Sequence, residues 1–144
     1  MFEQGRDRGC KMPESAAGTG SIADAVGLGA ALSYLLSIGM PCVYRWEHDL
    51  LQYALRELRG VPGLTLVGTA RDKASALAFK LSGYSDEEVG RRLDSFGIAV
   101  RTGHHCAQPV LRRFGYESAV RPTLGIYNSP EDIDVLVRAL RFFA

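Results

Sequence analysis

Val100-Arg101-Thr102-Gly103-His104-His105-Cys106-Ala107-Gln108-Pro109 places a thiol directly after two imidazoles, with an arginine five residues before it and a proline three after. The run that leads into it, Phe96-Gly97-Ile98-Ala99-Val100, reads as a short buried strand. The Gly, Gln and Pro around the thiol read as a loop. Pro109 then opens a brief helix carrying Val110, Leu111 and Phe114, stopped by Gly115. A thiol on a loop held by a strand end is where a reactive cysteine is expected, whereas a structural cysteine more often sits inside an apolar run.

Working outward, residues 119–126 read as a last strand weakened by Pro122. Ser129-Pro130-Glu131-Asp132 starts a final helix, with Pro at its first position, acids in its first turn, and Ile133, Leu136, Val137 and Leu140 facing inward. Upstream, Ser85 and Glu88 have the spacing of a capping box ahead of a short helix that turns Val89 and Leu93 inward. Residues 64–67 and 74–81 read as strands on either side of a loop. A helix over residues 41–59 shows an apolar face of Val43, Trp46, Leu50, Tyr53, Ala54 and Leu58. His48 on it reads as surface or half-buried, and Cys42 near its start as small core filler. Residues 22–38 read as another helix, capped by Ser21 or Thr19. Its Ile, Val and Leu and its small residues Gly27, Gly29, Ala30 and Ala31 suggest a well-buried, closely packed element. Residues 1–20 are polar and glycine-rich and read as an arm, ahead of one domain over residues 21–144. The order of elements predicts an α+β fold: a mainly antiparallel sheet with helices packed on one face.

The chain has 144 residues, 47% hydrophobic and 23% charged, with a formal net charge of +1, which are ordinary values for a globular domain with a sizeable core. No basic stripe with interleaved aromatics supports a nucleic-acid partner. Cys10, Cys42 and Cys106 do not form a disulfide framework, and a reducing, cytoplasmic setting is the simpler expectation. The charge-free run over residues 25–44 is cut by Gly39-Met40-Pro41, so a membrane span is not expected.

Three chemistries suit the Cys106 loop. A cysteine hydrolase would use His104 or His105 as base, although such partners are normally distant in sequence. A zinc site would need a fourth ligand, and three consecutive ligands match known spacings poorly. In sulfur transfer the cysteine attacks a sulfur atom and carries it as a persulfide.

Residues 101–109 resemble the cysteine motif of group II (SufS-type) cysteine desulfurases. Val120-Arg121-Pro122-Thr123-Leu124-Gly125-Ile126-Tyr127-Asn128 resembles the arginine motif downstream of it, and Ala17-Gly18-Thr19 with residues 26–31 resembles a third segment. The run over residues 18–25 and the Arg121-Pro122 pair look most similar to the desulfurases that travel as encapsulin cargo. The resemblance implies the C-terminal small domain of a fold type I enzyme, plus the long helix before it, from the aminotransferase class V fold family. It implies pyridoxal phosphate (PLP) as cofactor, a homodimer, L-cysteine as substrate, L-alanine as product and a sulfur-acceptor protein serving iron–sulfur cluster assembly. Cys106 would be the nucleophile. Arg121 would bind the substrate carboxylate, a match for a planar guanidinium. Arg101 and His104 would help hold substrate. Gly18 and Thr19 would reach the cofactor phosphate from a neighbouring subunit.

The chain also departs from the family. Pro13-Glu14-Ser15-Ala16 stands where a Phe-Glu pair is usual, and Lys11, Lys73 and Lys80 do not lie in the family's lysine motif. The expectation is a C-terminal part without the large cofactor-binding domain, incomplete or inactive alone and unable to hold PLP through a lysine. It should also carry exposed apolar surface on the first helix or the sheet. The alternatives are a non-catalytic persulfide acceptor or interaction module derived from the family, and an unrelated thiol hydrolase.

Overall fold

A computed structural model of the chain describes residues 20–68, 70 and 73–143. The arm before Gly20, with Gly18 and Thr19, lies outside them. The chain divides into two compact units, Met1–Ile38 and Gly39–Ala144.

In the first unit, α1 (Ile22–Ile38) starts where Ser21 Oγ accepts the Asp24 N–H at 3.3 Å, so Ser21 serves as cap. Contrary to the expectation of a well-buried helix, no residue of α1 is buried. Val26 is 69% exposed and Leu36 71%. The reason lies in the pattern. Apolar residues run all round the helix, and the described part of this unit holds no other element to cover them. The expected exposed apolar surface on the first helix is therefore present. No single helix among the described residues is long and apolar enough to cross a membrane.

The second unit runs α2 (Met40–Arg59), β1 (Leu64–Leu66), β2 (Phe79–Leu81), α3 (Asp86–Ser95), β3 (Arg101–Gly103), α4 (Gln108–Arg113), β4 (Ala119–Arg121) and α5 (Pro130–Arg141). The four strands form an antiparallel sheet in the order β1-β2-β4-β3, which puts β3 at an edge. The amphipathic helices follow the 3.6-residue period. Leu50, Leu51, Ala54 and Leu58 of α2, Val89 and Leu93 of α3, and Ile133, Leu136, Val137 and Leu140 of α5 are all buried. They join Phe79, Leu81 and Val120 of the sheet in one core. The α+β class is therefore as expected. On α2, Trp46 is 45% exposed and hands its Nε1–H to the Asn128 carbonyl at 3.2 Å. Cys42 is exposed rather than core filler, and His48 is half-buried as expected.

The predicted capping box is made on one side only at α3. Ser85 accepts the Glu88 N–H at 3.2 Å, but the Glu88 carboxylate pairs with Arg92 at 2.7 Å instead of reaching back. At α5 the returning arm is made: the Ser129 N–H donates to Asp132 at 3.0 Å. Buried Asp86, at the first position of α3, joins three segments. It accepts from Lys80 of β2 at 2.7 Å and from Ser118, the residue before β4.

Two strands are not where the sequence placed them. Residues 98–100 are unpaired, and strand pairing begins three residues later, at Arg101. Ile98 and Val100 are half-buried against the core from an irregular segment, which mimics a buried strand in sequence. Residues 74–78 form no regular strand and pair only at isolated points: Leu77 N–H to the Pro122 carbonyl at 3.1 Å, Leu124 N–H to the Ser75 carbonyl at 2.8 Å, Val67 N–H to the Ala78 carbonyl at 2.8 Å, and a bridge between Ala76 and Thr123. Pro122 has no N–H to donate, and β4 stops before it. In α4 only Leu111 is buried; Val110 is 58% exposed and Phe114 46%, because a six-residue helix offers the core a single inward position.

Candidate active site

β3 and β4 pair so that Arg101 lies directly opposite Arg121, Thr102 opposite Val120 and Gly103 opposite Ala119. Opposed residues of an antiparallel pair share a face of the sheet. Two arginine side chains therefore leave the same face of the sheet at the start of β3 and the end of β4. Like charges opposed in this way destabilise a sheet. Among the described residues no carboxylate forms a salt bridge with either arginine, and Arg121 Nε is buried with no hydrogen-bond partner.

From Gly103 the chain turns through His104 to Cys106. A cleft of about 250 Å³ is lined by residues 101–106 and Arg121. Cys106, Arg101, His104 and Arg121, four of the residues singled out by sequence, thus face one space, and the Cys106 thiol is exposed. His105 and Cys106 both adopt left-handed backbone conformations, φ 53° and 54°, next to Gly103 at φ 116°. Such conformations cost about 1–3 kcal/mol each in a side-chain-bearing residue and persist where surroundings enforce them. The surroundings here are hydrogen bonds. The Cys106 N–H donates to His104 Nδ1 at 3.0 Å, and the Ala107 N–H to the His104 carbonyl at 2.8 Å. His105 Nε2 lies 2.9 Å from the Ala119 carbonyl. A carbonyl only accepts, so this nitrogen carries the proton.

Three supports of the loop had no signal in the sequence. Gly90 of α3 faces Thr102, and a Cβ at residue 90 would stand 2.6 Å from Thr102 Cγ2, so α3 and β3 approach as closely as a glycine permits. Glu117 accepts from Gln108 Nε2 and Arg112 Nε, each at 3.0 Å, bracing α4 against the turn into β4. These bonds, from Gln108 first and then Arg112, hold the Glu117 carboxyl below its ordinary value. Asp86 and Ser118 fix the approach to β4 from the other side.

The geometry argues against two of the three chemistries. Neither imidazole is hydrogen-bonded to the Cys106 sulfur: His104 Nδ1 is occupied by the Cys106 backbone and His105 Nε2 by Ala119. Neither ring is thus hydrogen-bonded to the thiol as a base would be, and among the described residues no three His, Cys, Asp or Glu side chains are grouped to hold a metal. What the cleft offers is an exposed thiol beside two unpaired guanidiniums. The described lysines lie elsewhere. Lys73 Nζ donates to the Gly68 carbonyl at 2.9 Å, and Lys80 is paired with Asp86.

A model of the aminotransferase class-V family matches residues 10–136. The chain is 54% identical over 125 residues to a cysteine desulfurase of Synechococcus elongatus, covering 87% of this chain and 20% of that protein. Its structure resembles the apo cysteine desulfurase of Thermococcus onnurineus with a TM-score of 0.84 at 31% identity, over 88% of this chain and 32% of that one. It also resembles the cysteine desulfurase CsdA of Escherichia coli, in its S-sulfonic acid form, with a TM-score of 0.80 at 34% identity, over 87% and 31% of the two chains. The chain thus spans between a fifth and a third of the length of these relatives.

Proposed function

Because the chain belongs to the aminotransferase class-V family, whose members include cysteine desulfurases that use pyridoxal phosphate, we propose that it is the sulfur-accepting part of a cysteine desulfurase of the group II, SufS-like kind. The observation that carries this reading is the Arg101–Arg121 pair, unpartnered by any described acid, in the cleft that holds the exposed Cys106 thiol. Arg121, which lines the cleft, receives the substrate carboxylate in a two-bond fork. Arg101 adds the second positive charge, and His104, whose proton is on Nε2, adds a neutral donor. The carboxylate turns the cost of two opposed cations into attraction.

Cys106, as thiolate, attacks the sulfur of the bound cysteine. The new S–S bond would leave a persulfide on Cys106, with pyridoxal phosphate held elsewhere in the complete enzyme supplying the sink for the C–S electron pair before a proton completes the methyl group of L-alanine. The described residues fit the substrate carboxylate and the sulfur acceptor. They do not fit the anchoring of pyridoxal phosphate, since neither described lysine lines the cleft. Gly18 and Thr19 are proposed to meet the cofactor phosphate in a homodimer. The persulfide sulfur goes on to an acceptor protein for iron–sulfur cluster assembly, in a cytoplasmic enzyme of the kind carried in encapsulin shells. The absence of a lysine from the described cleft also favours a second reading, a persulfide acceptor that is loaded by another desulfurase.

Incubation with L-cysteine and an active desulfurase, followed by alkylation and mass spectrometry, tests the sulfur-accepting role. One added sulfur atom is expected on Cys106 and none in the Cys106→Ser chain. A wild-type chain that gains no sulfur while Cys106 still alkylates would overturn the reading. Sulfur gained from L-cysteine and pyridoxal phosphate alone, without the second enzyme, would overturn the acceptor-only alternative.

A further inference from the structure

We infer that His104 and His105 are positioning residues that together hold Cys106 in its left-handed conformation. The inference rests on the sulfur-accepting reading for what the position serves, while the loop geometry stands without it. The two imidazoles act from opposite sides. His104 accepts the Cys106 N–H at Nδ1, 3.0 Å away. A side-chain acceptor at one residue that binds the N–H two residues on is the geometry of an Asx turn, with imidazole in place of the usual Asn or Asp oxygen. His105 ties the middle of the loop to the sheet by donating Nε2–H to the Ala119 carbonyl of β4, 2.9 Å away.

The two bonds dictate protonation. His104 must have a bare Nδ1 and so carries its proton on Nε2; His105 must also carry a proton on Nε2. The rings are thus not interchangeable. His104 acts as an acceptor toward the loop and His105 as a donor toward the sheet. This explains why two imidazoles precede the thiol although neither is hydrogen-bonded to its sulfur. One closes the turn and the other anchors it, against a backbone conformation that His105 and Cys106 do not favour by themselves.

The test uses the 144-residue chain carrying Cys10→Ser and Cys42→Ser, so that Cys106 is the remaining thiol. In ¹⁵N-histidine NMR spectra, His104 is expected to show an unprotonated, hydrogen-bonded Nδ1 and a protonated Nε2. His104→Ala should speed amide exchange at Cys106 by about threefold to tenfold, the loss of one hydrogen bond, and should change the rate of iodoacetamide alkylation. His104→Asn, which restores the side-chain acceptor, should bring both rates back toward wild type. His105→Gln, whose amide can donate to Ala119, should stay nearer wild type than His105→Ala. Unchanged Cys106 exchange in His104→Ala, a failure of Asn to rescue, or a protonated Nδ1 on His104 would each overturn the inference. None of these readouts needs sulfur transfer. A chain that behaves as expected here but gains no sulfur on Cys106 would refute the proposed function alone.

Discussion

Gly90 shows how much the site depends on one missing methyl group. Ala in place of Gly within a helix ordinarily gains about 1 kcal/mol. Here the new Cβ would lie 2.6 Å from Thr102 Cγ2. Thr102 is β-branched and fixed in register between Arg101 and Gly103, so the methyl cannot swing aside cheaply. Overpacking of this kind costs about 1–3 kcal/mol and outweighs the helix gain. Gly90→Ala is therefore expected to lower stability by about 1–2 kcal/mol in urea denaturation. Adding the same change to a Thr102→Ser chain, which lacks Cγ2, should reverse the sign and give a gain of about 1 kcal/mol. At this scale much of the site is legible in the sequence, because Cys106, His104 and Arg121 sit in long, specific runs. What is not legible is the opposition of Arg101 and Arg121. That depends on the β3–β4 register across an intervening helix, and no local pattern encodes it.

Among the elements, α2, α3 and α5 were readable because each has a 3.6-residue apolar stripe and start signals that the structure uses. β3 was not. It is a polar edge strand of Arg, Thr and Gly with one pairing neighbour, so it lacks the apolar run by which strands are recognised, while Ile98 and Val100 beside it supply a false one. The start of α5 carries a prediction of its own. Hydrogen bonds from the Ser129 N–H first, and then from the Asn128 side chain, hold the Asp132 carboxyl below its ordinary value of 3.8. A carboxyl whose folded value is depressed contributes stability above its unfolded value, and loses it as pH falls through the folded value. The cap should therefore be fully effective above about pH 4 and fade below it. Asp132→Ala should cost about 0.5–1 kcal/mol near neutrality. The difference between the two chains, followed by urea midpoints, should shrink as the pH is taken below 3.8.

For the molecule as a whole, α1 is the element whose surface demands an association. Leu28 is 61% exposed and Leu36 71%, along with Ile22, Val26 and Leu32. Contiguous exposed apolar surface of this kind drives contact with other chains. The 144-residue chain is expected to self-associate in light scattering as its concentration rises. Replacing Leu28 and Leu36 by Glu should move the association midpoint up by about tenfold or more, since each buried Leu is worth at least about 1.4 kcal/mol. The sequence misled here for a physical reason. An all-round apolar helix announces that it will be covered without saying by what, and burial was read as if the cover lay within this chain. The opposed arginines have a different consequence at the same scale. β3 is secured to the sheet by a single neighbour, and its first residue pair repels. If Arg101 and Arg121 bind a carboxylate as proposed, it would replace that repulsion with a bridge, and the ligand would act as a latch on the outermost strand. By mass action, ligand at one hundred times its Kd would lend roughly 2.7 kcal/mol to the state in which β3 is docked. On the proposed function, occupancy of the clamp and stiffness of the Cys106 loop would rise together, and the thiol would be held most firmly when a substrate is there to meet it.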